Sequence, residues 1–205
     1  MQKIMFNDRY GLTRAVIKGR KTMTRRLINL DSTSDVQVRI FAGYVQIIGR
    51  GDNVCDEKKL PYKVGEVVAV AQSYEQAGIQ AWASLSRPEI DGYQILSASP
   101  GWRNKMLVRA DIMPHQIRIT GIRCEPLWAI TDEDCMKEGV REHPYRGYVV
   151  DGIVYKNSED KEYNGSLQVF NTPREAFAAL IDKVSGRGTW RRNPWVVVYE
   201  FELVK

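Results

Sequence analysis

The run Val67-Val68-Ala69-Val70-Ala71 is apolar at five successive positions, so as a strand it turns apolar side chains to both faces of a sheet. Such a strand has to be covered on both sides, which places it centrally and requires further structure above and below it. A length of 205 residues suits one domain with a core of its own. With 43% hydrophobic and 27% charged residues, the composition is that of a soluble globular chain. No apolar run approaches the roughly 20 residues of a membrane span.

Other stretches alternate. Lys3–Phe6 reads as a short opening strand, 36–48 as a hairpin turning at Gly43, and Ile117–Thr120 as a strand with Gly121 marking a bulge. Trp195–Val204 reads as a final strand with Trp195, Val197, Tyr199, Phe201 and Leu203 on one face. Helical patterns are fewer. Leu12, Ala15, Val16 and Gly19 follow the spacing of a helix face, with Asp8 as N-cap and Gly19 closing it in the left-handed conformation. Thr131 opens a short helix with Asp134 three residues on, and Gly139 ends it. Thr172-Pro173-Arg174-Glu175 combines a cap, a proline at the first position and a glutamate three residues after the cap, with Phe177, Leu180, Ile181 and Val184 as the buried face. Three segments read as insertions into a single domain spanning 1–205: 31–60, whose part 49–60 is a loop; 75–105, a long irregular excursion; and 141–166, a surface segment. Five or more strands, about three helices and mostly non-helical connections predict an α+β fold, a small mixed β-barrel or bent sheet with flanking helices, rather than a βαβ layout.

The formal charge is only +5, but it is unevenly spread. Between Asp8 and Asp31 there is no acid, and the window holds Arg9, Arg14, Lys18, Arg20, Lys21, Arg25 and Arg26. A second basic stretch, Arg187, Arg191 and Arg192, is interleaved with Trp190 and Trp195; a third, Arg103, Lys105 and Arg109, lies beside Trp102. Cations that meet phosphates beside rings that stack on unpaired bases suit a nucleic-acid surface, and a solvated basic face over core tryptophans is the plainer alternative. No signal region precedes Asp8, and the three cysteines, Cys55, Cys124 and Cys135, are scattered, so no disulfide scaffold and a reducing, cytoplasmic setting are expected. Only His115 and His143 could serve as imidazole ligands and no CxxC pair occurs, so no zinc site is expected; without a GxGxxG or Walker loop, neither is a nucleotide cofactor.

The most informative stretch is Gly19-Arg20-Lys21-Thr22-Met23-Thr24-Arg25-Arg26. On a straight strand Lys21 and Thr24 point to opposite faces, and they converge only where the chain turns, as Gly19 permits. If they converge, a lysine whose pKa is lowered by Arg20, Arg25 and Arg26 can deprotonate the threonine hydroxyl; otherwise the stretch is a basic loop that binds phosphate. In the helix beginning at Thr131, three acids sit near the N-terminus, where the dipole favours them, but Glu138 lies at the C-terminal end, where it does not. Glu138 is therefore either an exposed glutamate or one with a cationic partner elsewhere, such as Lys21.

These stretches, with Val64-Gly65-Glu66-Val67-Val68, Ile130-Thr131-Asp132-Glu133-Asp134 and Asn193-Pro194-Trp195-Val196-Val197-Val198-Tyr199-Glu200-Phe201, make the chain resemble the ASCH domain family of PUA-like folds, and in particular its longer phage and prophage members. The first stretch matches the family's G-x-K-x-x-T-x-R. The resemblance implies a PUA-like barrel of five to six strands with a cleft beside that motif, and binding of RNA or modified nucleosides. One bacterial branch removes the acyl group from N4-acetylcytidine; its catalytic lysine and threonine fall on Lys21 and Thr24, its glutamate on Glu138, and Arg26 also matches. In that branch's terms Thr24 is the nucleophile, Lys21 activates it, and Glu138 orients Lys21 or relays a proton. The longer relatives carry Trp-x-Arg-Glu-Thr-Trp after the glycine, whereas here Ala71 and Gln72 stand in place of the Arg-Glu pair. Gln72 can hydrogen-bond a base edge but cannot act as a general base.

Two functional readings result. The first is a binding module for single-stranded nucleic acid, such as RNA, or a modified nucleoside, using Arg20, Arg25, Arg26 and Gln72, with Tyr74 and Trp102 as stacking residues. The second is a metal-independent amidohydrolase working through Lys21, Thr24 and Glu138. A phage structural or regulatory protein that uses its surface for protein contacts is neither supported nor excluded by the sequence.

Overall fold

In the computed structural model of the chain Val68, Ala69, Val70 and Ala71 are each 0% exposed, the burial that their two-faced pattern demands. The structure describes residues 1–28, 36–49, 51–80, 82–83, 94–95, 98–156 and 162–204. Parts of all three expected insertions lie outside the described residues.

Among the described residues the chain runs through β1 (Lys3–Ile4), α1 (Leu12–Ile17), β2 (Met23–Leu27), β3 (Gln37–Phe41), β4 (Tyr44–Ile48), β5 (Val54–Lys59) and β6 (Val67–Val70). It continues through β7 (Trp82–Ala83), β8 (Gln94–Ile95), β9 (Gln116–Pro126), α2 (Asp132–Lys137), β10 (Arg141–Glu142) and β11 (Tyr148–Val149). It ends with β12 (Val154–Lys156), β13 (Glu162–Leu167), α3 (Pro173–Ser185), α4 (Thr189–Arg192) and β14 (Trp195–Leu203). The expected mixed α+β character is present. The strands pair into open sheets, and no closed barrel forms among the described residues.

The contacts define two compact units. The first comprises Met1–Phe6, Val67–Arg118 and Leu203–Lys205. Here β1 runs parallel to β6, with Lys3 opposite Ala69, and β6 antiparallel to the start of β9, with Val68 opposite Ile117. Ala69 and Ala71 pack with Tyr74, Val108 and Met113. The wall of this cluster is a series of single 3₁₀ turns at Pro100–Trp102, Lys105–Leu107 and Ala110–Ile112. Lys3 Nζ fastens it by donating to Met106 O at 2.6 Å and Val108 O at 2.8 Å. The described end of the expected excursion is thus part of a core.

The second unit comprises Asn7–Glu66 and Ile119–Glu202 and contains the continuation of β9, then β14, then β2. Strand β14 is buried on both faces, since Val196 and Val198 are 0% exposed as well as Tyr199 and Phe201 being buried, while Leu203 is exposed. The β3–β4 hairpin turns at Ala42-Gly43 with positive φ at both residues, the type I′ geometry that suits a two-residue connection. Residues 54–59, expected as loop, are instead β5, paired antiparallel with β4. Its Val-Cys-Asp-Glu-Lys-Lys sequence is almost wholly exposed, so backbone hydrogen bonds hold it and no apolar alternation announces it. The 141–166 segment is not merely superficial: Val149 and Val150 are 0% exposed and Ile153 is 4% exposed.

The helices follow their caps with two differences. Thr172 Oγ1 accepts from Glu175 N at 3.1 Å, and Thr131 Oγ1 from Asp134 N at 3.1 Å, as expected. Val184 is exposed, because α3 carries its apolar stripe only through Ile181. Asp8 does not cap α1: Gly11 holds that position at φ 62, and the Asp8 carboxylate accepts from the Thr13 hydroxyl.

Candidate functional site

Lys21 is placed by the way α1 ends. Gly19 has φ +69, its N–H donates to Val16 O at 2.8 Å, and Arg20 N donates to Ala15 O at 2.9 Å. These two bonds form a Schellman closure, which turns the chain sharply out of the helix and into β2. Thr22 N then donates to Lys137 O at 3.0 Å, so the approach to β2 is fastened to the last turn of α2.

The period of two sorts the side chains of β2: Met23, Arg25 and Leu27 to one face, Thr24 and Arg26 to the other. Thr24 lies opposite Tyr199, Arg26 opposite Val197, and Met23 opposite Glu200 on β14. Phe201 N donates to Thr22 O and Ile28 N to Trp195 O. By alternation Thr24 and Arg26 turn their backbone groups to β14, and the Met23 carbonyl points to the opposite edge. Lys21 Nζ sits at that edge. It donates to Met23 O at 2.7 Å, Glu138 O at 2.8 Å and Glu138 Oε2 at 2.6 Å. Gly139 has φ +113, a conformation that residues with a side chain rarely adopt, and a Cβ there would crowd Leu12 Cδ2 at 3.0 Å while making only ordinary contact with Lys21 Cδ at 3.8 Å. The anion at the disfavoured end of α2 is therefore compensated by Lys21.

Lys21 is 2% and Glu138 4% exposed. Burial drives the Lys21 pKa below the ordinary lysine value, Glu138 opposes that fall, and the charges of Arg26 and Arg25 add to it.

The other oxygen of Glu138, Oε1, accepts from Arg25 NH1 at 3.2 Å. Arg25 NH2 donates to Glu125 Oε1 at 2.6 Å and to Asp134 Oδ2 at 2.7 Å. Arg123 joins the same carboxylates, with Nε at 2.9 Å from Glu125 Oε2 and NH2 at 2.9 Å from Asp134 Oδ2, and pairs with Glu200 as well. Burial opposes the Arg25 charge, but Glu138, Asp134 and Glu125 together outweigh it and hold its pKa above the ordinary value.

The expected site residues therefore separate. Lys21 and Glu138 are brought together. Thr24 is 5% exposed on the Tyr199 side of β2, and its hydroxyl has no hydrogen-bond partner among the described residues. Arg26 is exposed, and Arg20 lies 3.9 Å from Asp151. Arg25 does not face a ligand: its side chain is 0% exposed and engaged by three carboxylates, a correction to its expected role in nucleic-acid binding. Gln72, Tyr74 and Trp102 belong to the first unit. Tyr74 is a core residue at 3% exposure, and its hydroxyl accepts from Arg109 N at 3.0 Å; a stacking platform needs an open ring, so Tyr74 is not one. Trp102 packs half-buried against the same cluster. Gln72 is 7% exposed, and its Oε1 has no hydrogen-bond partner among the described residues. In the third basic stretch Arg109 pairs with Asp111, and Lys105 donates to Phe6 O.

Glu125, Asp134, Arg123 and Glu200 were missed by sequence reasoning. Arg123 and Glu125 do alternate onto one face of β9, but nothing local connects them to Arg25. Among the described residues no three His, Cys, Asp or Glu side chains are grouped to hold a metal ion. Cys135, beside this site in α2, is 0% exposed with its thiol pushed up to about 12 by burial, which keeps it un-ionised. No protein-family model, curated protein or solved structure matches the chain.

Proposed function

We propose that the second unit carries an amidohydrolase site for N4-acylated cytidine-type nucleosides, in a chain of the ASCH type with a PUA-like fold. One observation carries this reading: a buried lysine with a lowered pKa, held by Glu138, lies three residues before Thr24, whose hydroxyl has no hydrogen-bond partner among the described residues. In its neutral form Lys21 takes the proton of Thr24, and Oγ1 adds to the acyl carbonyl. The C–N bond breaks as Lys21 returns the proton to the departing N4 amine, and water then cleaves the acyl-threonine to the carboxylic acid. The reading requires Lys21 Nζ to turn from Met23 O toward Thr24 when substrate is bound, with Glu138 holding the ammonium as it forms.

A second reading, binding of nucleic acid or a modified base without turnover, is favoured by Arg9, Arg14, Lys18, Arg20 and Arg26, which all remain exposed in the acid-free window. Incubation with N4-acetylcytidine followed by chromatography separates the two. Cytidine released by the parent but not by Lys21→Ala supports the hydrolase. No release from the folded parent overturns it, and RNA affinity that falls steeply with salt and with Arg26→Ala then supports the binding module.

A further inference from the structure

Trp128 exposes 48% of its surface, yet none of its polar atoms needs that exposure. Its indole Nε1 donates to Trp190 O at 2.7 Å, its backbone N to Asn193 Oδ1 at 2.7 Å, and its carbonyl accepts from Arg174 NH2 at 2.7 Å. Tryptophans that reach the surface usually keep the polar N–H in water. Here the N–H is taken up by a backbone carbonyl, so the exposed ring offers its apolar face without a free polar group. The ring is also rigidly backed. Trp190 lies 6.5 Å from it and packs edge-on against Phe177 at 6.2 Å, with the Arg174 guanidinium 5.9 Å over the Trp190 ring. Asn193 holds its left-handed conformation at φ 46 at the end of α4.

The surroundings are cationic. Arg174, Arg187, Arg191 and Arg192 are exposed, and none has an acidic partner among the described residues. The nearby Asp182 is spent on the backbone, accepting from Gly188 N at 3.0 Å and Trp190 N at 2.8 Å. This is the second basic stretch of the sequence, joined in space by a tryptophan some 60 residues earlier that no local pattern connects to it.

We propose that Trp128, flanked by Arg174, Arg191 and Arg192, is a stacking surface for single-stranded nucleic acid. A preformed open ring takes an unpaired base, and guanidinium groups without acidic partners take the flanking phosphates. The surface uses neither Lys21, Thr24 nor Glu138, so it stands or falls apart from the hydrolase reading.

Trp128→Phe and Trp128→Leu test it. Both lose the indole bond to Trp190 O, and only Phe keeps a π face. Fluorescence anisotropy of the full chain with a labelled single-stranded RNA and DNA of about 12 nucleotides at low salt reads the difference. The expected result is affinity in Trp128→Phe within about threefold of the parent and in Trp128→Leu lower by about 5- to 100-fold, the range of one base stacked. Arg191→Ala with Arg192→Ala should weaken binding and flatten its salt dependence. Equal affinities in the Phe and Leu variants, a duplex bound as tightly as the single strand, or no binding by the parent would each overturn the proposal.

Discussion

Lys21 Nζ and Glu138 Oε2 lie 2.6 Å apart, 117 residues distant in the chain, with both side chains buried. Removing Glu138 strands the Lys21 ammonium, and removing Lys21 leaves Glu138 with Arg25 as its remaining cation; breaking comparable buried pairs costs about 3–5 kcal/mol. Lys21→Ala and Glu138→Ala should each lower the urea unfolding free energy by that order. The double variant should lose clearly less than the two losses added together, because neither charge is then stranded. Additive losses would show that the two residues act independently.

The same burial sets a pH dependence. The lowered Lys21 pKa means that the folded state binds this proton less tightly than the unfolded chain does. Its contribution to stability is therefore unfavourable below the folded pKa and vanishes as pH rises toward the unfolded value near 10.5. NMR of the lysine Nζ should find Lys21 titrating below 10.5. Glu138→Gln removes the group that raises the pKa and should move the midpoint lower still; Arg26→Ala removes a cation and should move it up. If the proposed hydrolysis depends on neutral Lys21, the rising limb of its rate profile should follow the same shifts. A Glu138→Gln midpoint that rises would contradict this assignment of causes.

Arg25 and Arg26 are neighbours in sequence and opposites in consequence. Arg25→Ala leaves Glu125, Asp134 and Glu138 without their shared cation and should destabilise by at least about 3 kcal/mol. Arg25→Lys should recover only part of this, since an ammonium cannot reproduce a fork that reaches three carboxylates. Arg26→Ala, at an exposed position, should stay within about 0.5 kcal/mol of the parent. Thermal unfolding of the three variants checks the ranking, and equal losses at 25 and 26 would contradict the separation of the two faces of β2.

That separation shows how far the sequence could be read. Local chemistry was legible: the glycine after α1, the threonine caps of α2 and α3, and the two-faced run in β6 each depend on residues within a few positions. Glu138 was half legible, because its misfit at a helix C-terminus signalled a partner and the first motif supplied a cation. Arg25 was not legible. Its sequence neighbours are basic, and the carboxylates that bury it arrive from β9 and α2, about 100 residues away. Strand β5 was hidden for a different reason, since hydrogen bonds to β4 hold it without any apolar face. Tyr74 was misjudged because an aromatic ring in a sequence does not show whether it faces solvent or the Ala69–Ala71 side of a core.

Thr24 gives the sharpest test of the proposed chemistry, because removing its hydroxyl should leave the fold nearly untouched. The side chain is buried, but no hydrogen bond is lost among the described residues. Valine keeps the shape and branching that suit a strand opposite Tyr199. Thr24→Val should therefore unfold within about 1 kcal/mol of the parent while cytidine release from N4-acetylcytidine falls to background, and Thr24→Ser, which restores a hydroxyl, should retain turnover. Parental turnover in Thr24→Val would remove Thr24 as the nucleophile. Lys21 would then have to activate water itself, and no acyl-enzyme would accumulate when the reaction is quenched early and analysed by mass spectrometry.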